Sequence, residues 1–127
     1  MIDWEQYPNF SADEFTCSHC GKEGINEKLI VVLQIIRHEV SFPFIITSGF
    51  RCAEHPIEKK KDKLGVHTTG LAVDIGCSGG QAHTILRLAM ERNLSGIGIN
   101  QKGDGRFIHI DISEAQENRP RPWIWSY

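Results

Sequence analysis

Leu29, Ile30, Leu33, Ile36 and Val40 recur at the spacing of one helical face and predict a helix over 27–40, capped at its start by Asn26. Phe44-Ile-Ile-Thr47 predicts a buried strand that ends at Ser48-Gly49, and Leu71 to Ile75 predicts a second strand. Ser78-Gly-Gly-Gln81 has capping-box spacing and predicts a helix running to about Asn93, with Ile85, Leu86, Ala89 and Met90 as its apolar side. Gly96 to Ile99 reads as a short strand, Gln101 to Gly105 as a turn, and Arg106 to Ile112 as a strand with clean alternation. Ser11-Ala-Asp-Glu14 repeats the capping-box pattern but opens only a short turn, because Cys17-Ser-His-Cys20-Gly21 follows at once. The polar stretch from Cys52 to Gly65, with Lys59-Lys60-Lys61 inside it, reads as an exposed excursion with a solvated charge run. The Pro- and Trp-rich tail from Pro120 to Tyr127 is expected to dock in extended form. Elements in this order predict an α+β domain with a mostly antiparallel sheet and helices packed on one side.

Length and composition narrow the class. A chain of 127 residues with 40% hydrophobic and 24% charged residues fits one domain over 1–127, without repeats or linkers. At this size about two-thirds of the unfolded surface can be buried, so a core forms without help from disulfides. Fourteen Lys+Arg against sixteen Asp+Glu leave a formal charge of -2, which offers no footprint for nucleic acid and no polybasic face for a membrane. The start, Met1-Ile2-Asp3-Trp4-Glu5, has neither a basic region nor an apolar run of signal-peptide length, so synthesis in the cytoplasm without a signal peptide is expected.

Two segments far apart carry the chemistry: Gly65-Val-His67-Thr-Thr-Gly70-Leu-Ala-Val-Asp74-Ile75 and Phe107-Ile-His109-Ile-Asp111-Ile112. Alternation sends Leu71, Val73 and Ile75 to one face and Asp74 to the other; likewise Ile108, Ile110 and Ile112 oppose His109 and Asp111. Polar groups planted in such a pattern cost stability unless they share a partner. A divalent metal is the economical partner, because catalytic zinc takes three N/O ligands and keeps a position open. His67, Asp74 and His109 supply that set, with Gly70 swinging the chain so that the first two converge. Each also has an ordinary role available, as a loop residue, a strand-end cap and a hydrogen-bonded histidine, and spacing leaves both readings open.

The run Ser48-Gly-Phe-Arg51-Cys52, then His67-x-x-Gly70-x-Ala72-x-Asp74-Ile75, then His109-x-Asp111, resembles the zinc D-Ala-D-Ala carboxypeptidase family. Its relatives include L-Ala-D-Glu endopeptidases of phage lysins and the fold shared with hedgehog signalling domains. The likeness runs from Asn9-Phe10-Ser11 and Glu14-Phe15 to the Trp-Ser-Tyr end. It implies a hedgehog/DD-peptidase-like fold, a Zn2+ cofactor on His67, Asp74 and His109, and a peptidoglycan stem peptide as substrate, cleaved as a D-Ala-D-Ala carboxypeptidase or an L-Ala-D-Glu endopeptidase would cleave it. A monomer acting at the bacterial cell wall, of phage or prophage lysin type, is the expectation that follows. The rival class is a non-catalytic metal-binding module that binds a partner or a wall fragment.

In that family the residue matching Arg51 binds substrate and steadies charge on the scissile carbonyl oxygen, a task that suits a planar guanidinium fork. Many relatives carry an acid or a second His just before the last ligand; three residues before His109 this chain has Arg106, which cannot accept a proton. Asp111 shares the face of His109 about 6.6 Å further along the strand and is the expected general base or ligand-orienting carboxylate. Asp104, in the Gly-rich turn, is its rival. The family's Ser two residues before the first His is Gly65 here.

Cys17-x-x-Cys20-Gly21 resembles half a zinc knuckle, and Cys52 and Cys77 are not spaced as its second pair. Disulfides, free thiols and a structural zinc stay open, in that order of preference, with Cys52 expected to tether the Arg51 loop to the Cys17–Cys20 turn. His19, His38, His55 and His83 carry no signal. Trp123, Trp125 and Tyr127 are expected to cover the core, with a sugar-stacking platform as the lesser alternative.

Overall fold

A computed structural model describes the whole chain, Met1–Tyr127. Alternation along the strands sorts its side chains into two layers. Val73 and Ile75, Ile97, and Ile108 and Ile110 are each at most 3% exposed and form one core cluster with Leu29, Ile30, Leu33, Ile85, Leu88 and Ala89. The sheet therefore has an apolar face under the helices and an opposite face on which Asp74, His109 and Asp111 stand. Each fully buried Ile or Leu contributes about 1.5–3 kcal/mol towards holding these layers together.

Five strands build the sheet: β1 (Ile45–Ser48), β2 (Ala72–Gly76), β3 (Gly96–Asn100), β4 (Phe107–Asp111) and β5 (Trp123–Ser126), in the order β1-β2-β4-β3-β5. The β1·β2, β2·β4 and β3·β4 pairings are antiparallel, and β5 alone pairs parallel, with β3. The α+β, mostly antiparallel architecture matches the expectation, and the tail does more than dock, since it adds an edge strand. The helices are α1 (Glu27–His38), the short α2 (Pro56–Lys59) and α3 (Gly79–Glu91). None is long and apolar enough to cross a membrane.

Asn26 caps α1 as its side chain accepts from the Lys28 amide at 2.9 Å. The helix stops at His38, two residues before the expected end, and Val40 still packs against the core from the following turn. Helix α3 starts where expected, but the Ser78 side chain makes no cap hydrogen bond. Met90 lies on its exposed side, and Ala82 and Leu88 join Ile85 and Ala89 underneath.

Two other expectations need correction. The strand expected to be buried over Phe44–Thr47 runs Ile45–Ser48 and is a half-exposed edge, with Ile45 63% exposed; a short apolar run reads alike in buried and edge positions. The excursion from Cys52 to Gly65 is not uniformly solvated, because His55 and Glu58 within it are buried. Glu58 is 1% exposed and carries three partners: the Gly65 amide donates to it at 2.7 Å, and Lys61 Nζ and Arg51 Nη1 at 3.1 Å each. Full pairing of this kind lets a carboxylate leave water.

Candidate metal centre

A 3-10 turn, Val66–Thr69, carries His67 into the sheet face ahead of β2. It ends at Gly70 with φ 76°, and a side chain there would run into the Gly24 carbonyl, so only glycine lets the chain turn into β2 at this point. Asp74 and His109 are register partners on β2 and β4. Their row continues across the sheet as Ser48, Asp74, His109, Gly98 and Trp125, one residue from each strand. Alternation puts this whole row on the face away from the helices.

Side chains from the row and the turn converge. His67 Nε2 lies 3.3 Å and His109 Nδ1 3.0 Å from the same oxygen, Asp74 Oδ1, and the three residues are each at most 5% exposed. The outer ring nitrogens are also engaged. His67 Nδ1 donates to the Gly49 carbonyl at 2.8 Å, and His109 Nε2 donates to Asp111 Oδ2 at 2.7 Å. A carbonyl can only accept, and Asp111 is held ionised by its other partners, so the network assigns the protons to those outer nitrogens. In their neutral forms both rings then present lone pairs to an acceptor oxygen. Three acceptors facing one another without a shared proton form a donor set for a cation, and two imidazoles with a carboxylate suit zinc. Burial opposes charge on the His109 ring, yet the Asp111 and Asp74 carboxylates beside it outweigh burial and raise its pKa. For Asp74, burial likewise resists ionisation, but the His109 and His67 rings hold its carboxyl well below the usual range.

Asp111 stands behind the His109 ring rather than on the open side of the cluster. It is 0% exposed, and Arg121 grips it bidentately, Nε to Oδ1 at 3.0 Å and Nη2 to Oδ2 at 2.8 Å. Ser113 adds its amide and its hydroxyl to Oδ1, at 3.2 and 2.9 Å. Burial pushes the Asp111 pKa up, but His109 and Arg121 overcome it and keep the group ionised well below the ordinary carboxylate range. A carboxylate so fully used orients an imidazole and has no free lone pair for a water. Asp104 does not join the cluster either; it is exposed in the β3–β4 turn, near Ile45, Cys77 and Arg106.

Arg51 does reach the centre. Its Nη2 is 3.5 Å from Asp74 Oδ2, its Nε donates to Ser48 Oγ at 3.0 Å, and Glu58 fixes the other end of the guanidinium. Gly65 belongs to the same arrangement, since a Cβ there would meet Lys61 Nζ at 2.6 Å and Glu58 Oε1 at 3.0 Å.

Sequence reasoning missed Glu58, Arg121, Ser113 and the role of Trp125. Trp125 is not simple core cover: its ring lies 4.9 Å from the His109 ring, and the Arg121 guanidinium sits 5.3 Å from the indole centroid. Trp123 and Tyr127 are about half exposed. The alternating Gly96-Ile-Gly98 was the available signal. A side chain at Gly98 would meet the Trp125 ring at 2.7 Å, and one at Gly96 would overlap the Asp111 carboxylate.

A second cluster lies beyond Arg51. The sulfurs of Cys17, Cys20 and Cys52 all fall within 4.8 Å of one another, and all four cysteines are free thiols. Burial opposes ionisation of Cys17, but backbone amides of Cys52, Cys20 and His19 prevail and lower its pKa to about 7. Cys77 is a different kind of thiol, pushed up to about 11 by burial and directed at the Ile75 carbonyl at 3.3 Å.

A search of curated proteins finds no match to this chain. A family model described as peptidase M15 matches residues 8–111, a span that contains His67, Asp74, His109 and Arg51 together with four of the five strands. By that match, and in agreement with the resemblance carried by its motifs, the chain belongs to the peptidase M15 family, the zinc D-Ala-D-Ala carboxypeptidase type of metallopeptidase.

Proposed function

We propose that this protein is a zinc peptidase that hydrolyses an amide bond in peptidoglycan stem peptides at the bacterial cell wall. The observation that supports this most directly is the aim of three donors, His67 Nε2, His109 Nδ1 and Asp74, at one point, with each imidazole held from behind. His67, Asp74 and His109 would hold the metal. When bound, zinc lowers the pKa of a coordinated water and polarises the carbonyl to be cleaved.

The chain's own residues prepare that chemistry. Asp111, with Arg121 and Ser113 behind it, keeps the His109 proton on Nε2 and the Nδ1 lone pair turned inward. The Gly49 carbonyl does the same for His67. Arg51 presents a guanidinium whose position is fixed by Ser48 and Glu58, ready to receive a substrate carboxylate or the developing oxyanion. His67, Asp74, His109, Asp111, Ser113 and Glu58 are each at most 5% exposed, which strengthens the interactions they make.

One observation favours a second reading, a metal-binding module that captures a wall peptide or partner without cutting it. Neither Asp111 nor Asp104 offers a free carboxylate to the cluster, and Arg106, three residues before His109, cannot accept a proton. Zinc stoichiometry measured beside digestion of purified peptidoglycan separates the two. Cleavage by the parent and loss of it, together with loss of zinc, in His67→Ala supports the peptidase. Zinc retained by a parent that releases no peptide supports the binding module.

A further inference from the structure

The peptidase reading leaves the Cys17–Cys20–Cys52 cluster without a task. Its first half is a tight turn: the Gly21 amide donates to the Cys17 carbonyl at 2.7 Å, the Cys17 amide to Lys22 at 3.0 Å, and Gly21 takes φ 73°. That folding puts Cys17 and Cys20 side by side. The third sulfur comes from the loop after β1. The Phe50 amide bonds to the Phe15 carbonyl at 3.0 Å, Gly49 packs so closely that a Cβ would lie 2.7 Å from Phe15 Cα, and the Cys52 amide donates to Cys17 Sγ at 3.3 Å. Backbone amides pointed at sulfur suit a thiolate acceptor better than a thiol.

Three sulfurs in mutual reach are one too many for a disulfide, which would leave the third beside the bond. They match three corners of a tetrahedron instead: with Zn–S near 2.3 Å, neighbouring sulfurs sit roughly 3.8 Å apart. A set made only of sulfur excludes calcium, magnesium and manganese, which prefer oxygen. His55 is the candidate for a fourth ligand by its spacing from Cys52, but its ring is used otherwise. Nδ1 accepts from the Ile57 amide at 3.1 Å, at the start of α2, and Nε2 pairs with Ser18 Oγ at 3.1 Å, bracing the turn between the two cysteines. Cys20 and His19 are exposed, so the fourth corner opens to solvent.

We propose that Cys17, Cys20 and Cys52 bind a structural zinc ion that staples the N-terminal segment to the loop carrying Arg51. Arg51 directly precedes Cys52, so the staple would hold the guanidinium in register with Asp74 as well as adding folding energy. The site is independent of the His67–Asp74–His109 centre, and its test must be so too.

Zinc is counted in protein purified without chelator, for the parent, His67→Ala, Cys52→Ser and Cys77→Ser. One zinc per chain is expected to persist in His67→Ala, Cys77→Ser is expected to keep the parent's count, and the count is expected to fall by one in Cys52→Ser. This holds whether the parent carries one zinc or two, so failure of the peptidase reading would not imitate failure of the staple. Because Cys52→Ser could fail to fold, the parent is also titrated with a mercurial thiol reagent while a zinc-sensitive dye reports release. Release of one zinc in step with blocking of the thiols supports the site. Three thiols that react with no zinc released, or an intact mass lighter by the hydrogens of a disulfide, overturn it.

Discussion

Asp111 Oδ2 accepts the Nε2 proton of His109 at 2.7 Å while the same carboxylate is clamped by Arg121. The pair sets which nitrogen of His109 faces Asp74, and so makes a residue two positions along the strand a condition for metal binding. Asp111→Asn keeps the shape but has only one oxygen to serve His109, Arg121 and Ser113. Zinc affinity, read by competition with a chelator, is expected to drop by about 10–100-fold. Asp111→Ala should lose in addition about 3–5 kcal/mol of stability in denaturant unfolding, because Arg121 is left buried without its partner. Unchanged affinity in Asp111→Asn would remove the orienting role.

Glycine at 96 and 98 makes room for that relationship. Gly98→Ala pushes on the Trp125 ring, and Gly96→Ala places a methyl in the Asp111 carboxylate. The two should therefore differ in what they damage. Gly96→Ala is expected to weaken zinc binding in parallel with Asp111→Asn. Gly98→Ala displaces β5 instead, at a cost of about 1–3 kcal/mol for overpacking, seen as a lower melting temperature and altered Trp fluorescence.

How these partners escaped the sequence reading is itself physical. The shared face of Asp74 and His109 and the turn after His67 were legible because alternation is local and a Gly after His67 marks a chain reversal, whereas only the family resemblance singled the three out as ligands. Asn26 and the α1 pattern were legible for the same reason. Arg121 and Asp111 meet only because β5 returns to pair with β3, a long-range event that leaves no periodic trace. Glu58 lay unmarked in the polar stretch read as an exposed excursion, and only tertiary contact with Arg51 and Gly65 makes it a buried anchor. The approach of Cys52 to the Cys17–Cys20 turn was expected, but as a disulfide tether; the three sulfurs are free and are brought together by the Phe15–Phe50 contact.

Acid should undo this anchoring in a defined direction. Burial raises the pKa of Glu58, but the Gly65 amide, Lys61 and Arg51 prevail and lower it below the ordinary value. Asp74 and Asp111 are shifted the same way. A folded pKa below the unfolded one means stability that is present above the unfolded value, about 4, and is lost as pH falls through the folded one. Chelator-treated protein is used so that zinc release does not confuse the reading. Its melting temperature is expected to decline as pH is taken from about 5 towards 3. Glu58→Gln should be less stable at neutral pH, with a shallower decline; equal slopes would deny Glu58 its share.

Arg51 separates binding of metal from use of it. Lys at this position keeps one positive charge near Asp74 but gives up the fork that spans Ser48, Glu58 and Asp74 together. The metal donors themselves are untouched, so Arg51→Lys is expected to retain its zinc count. If the guanidinium receives the developing oxyanion, its loss removes a stabilisation present mainly in the transition state, and kcat on a wall peptide should fall by about 10²–10³-fold. If it instead binds a substrate carboxylate equally in ground and transition states, KM rises and kcat holds. Steady-state kinetics on Arg51→Lys distinguishes these roles, and full activity with unchanged constants would remove Arg51 from the site.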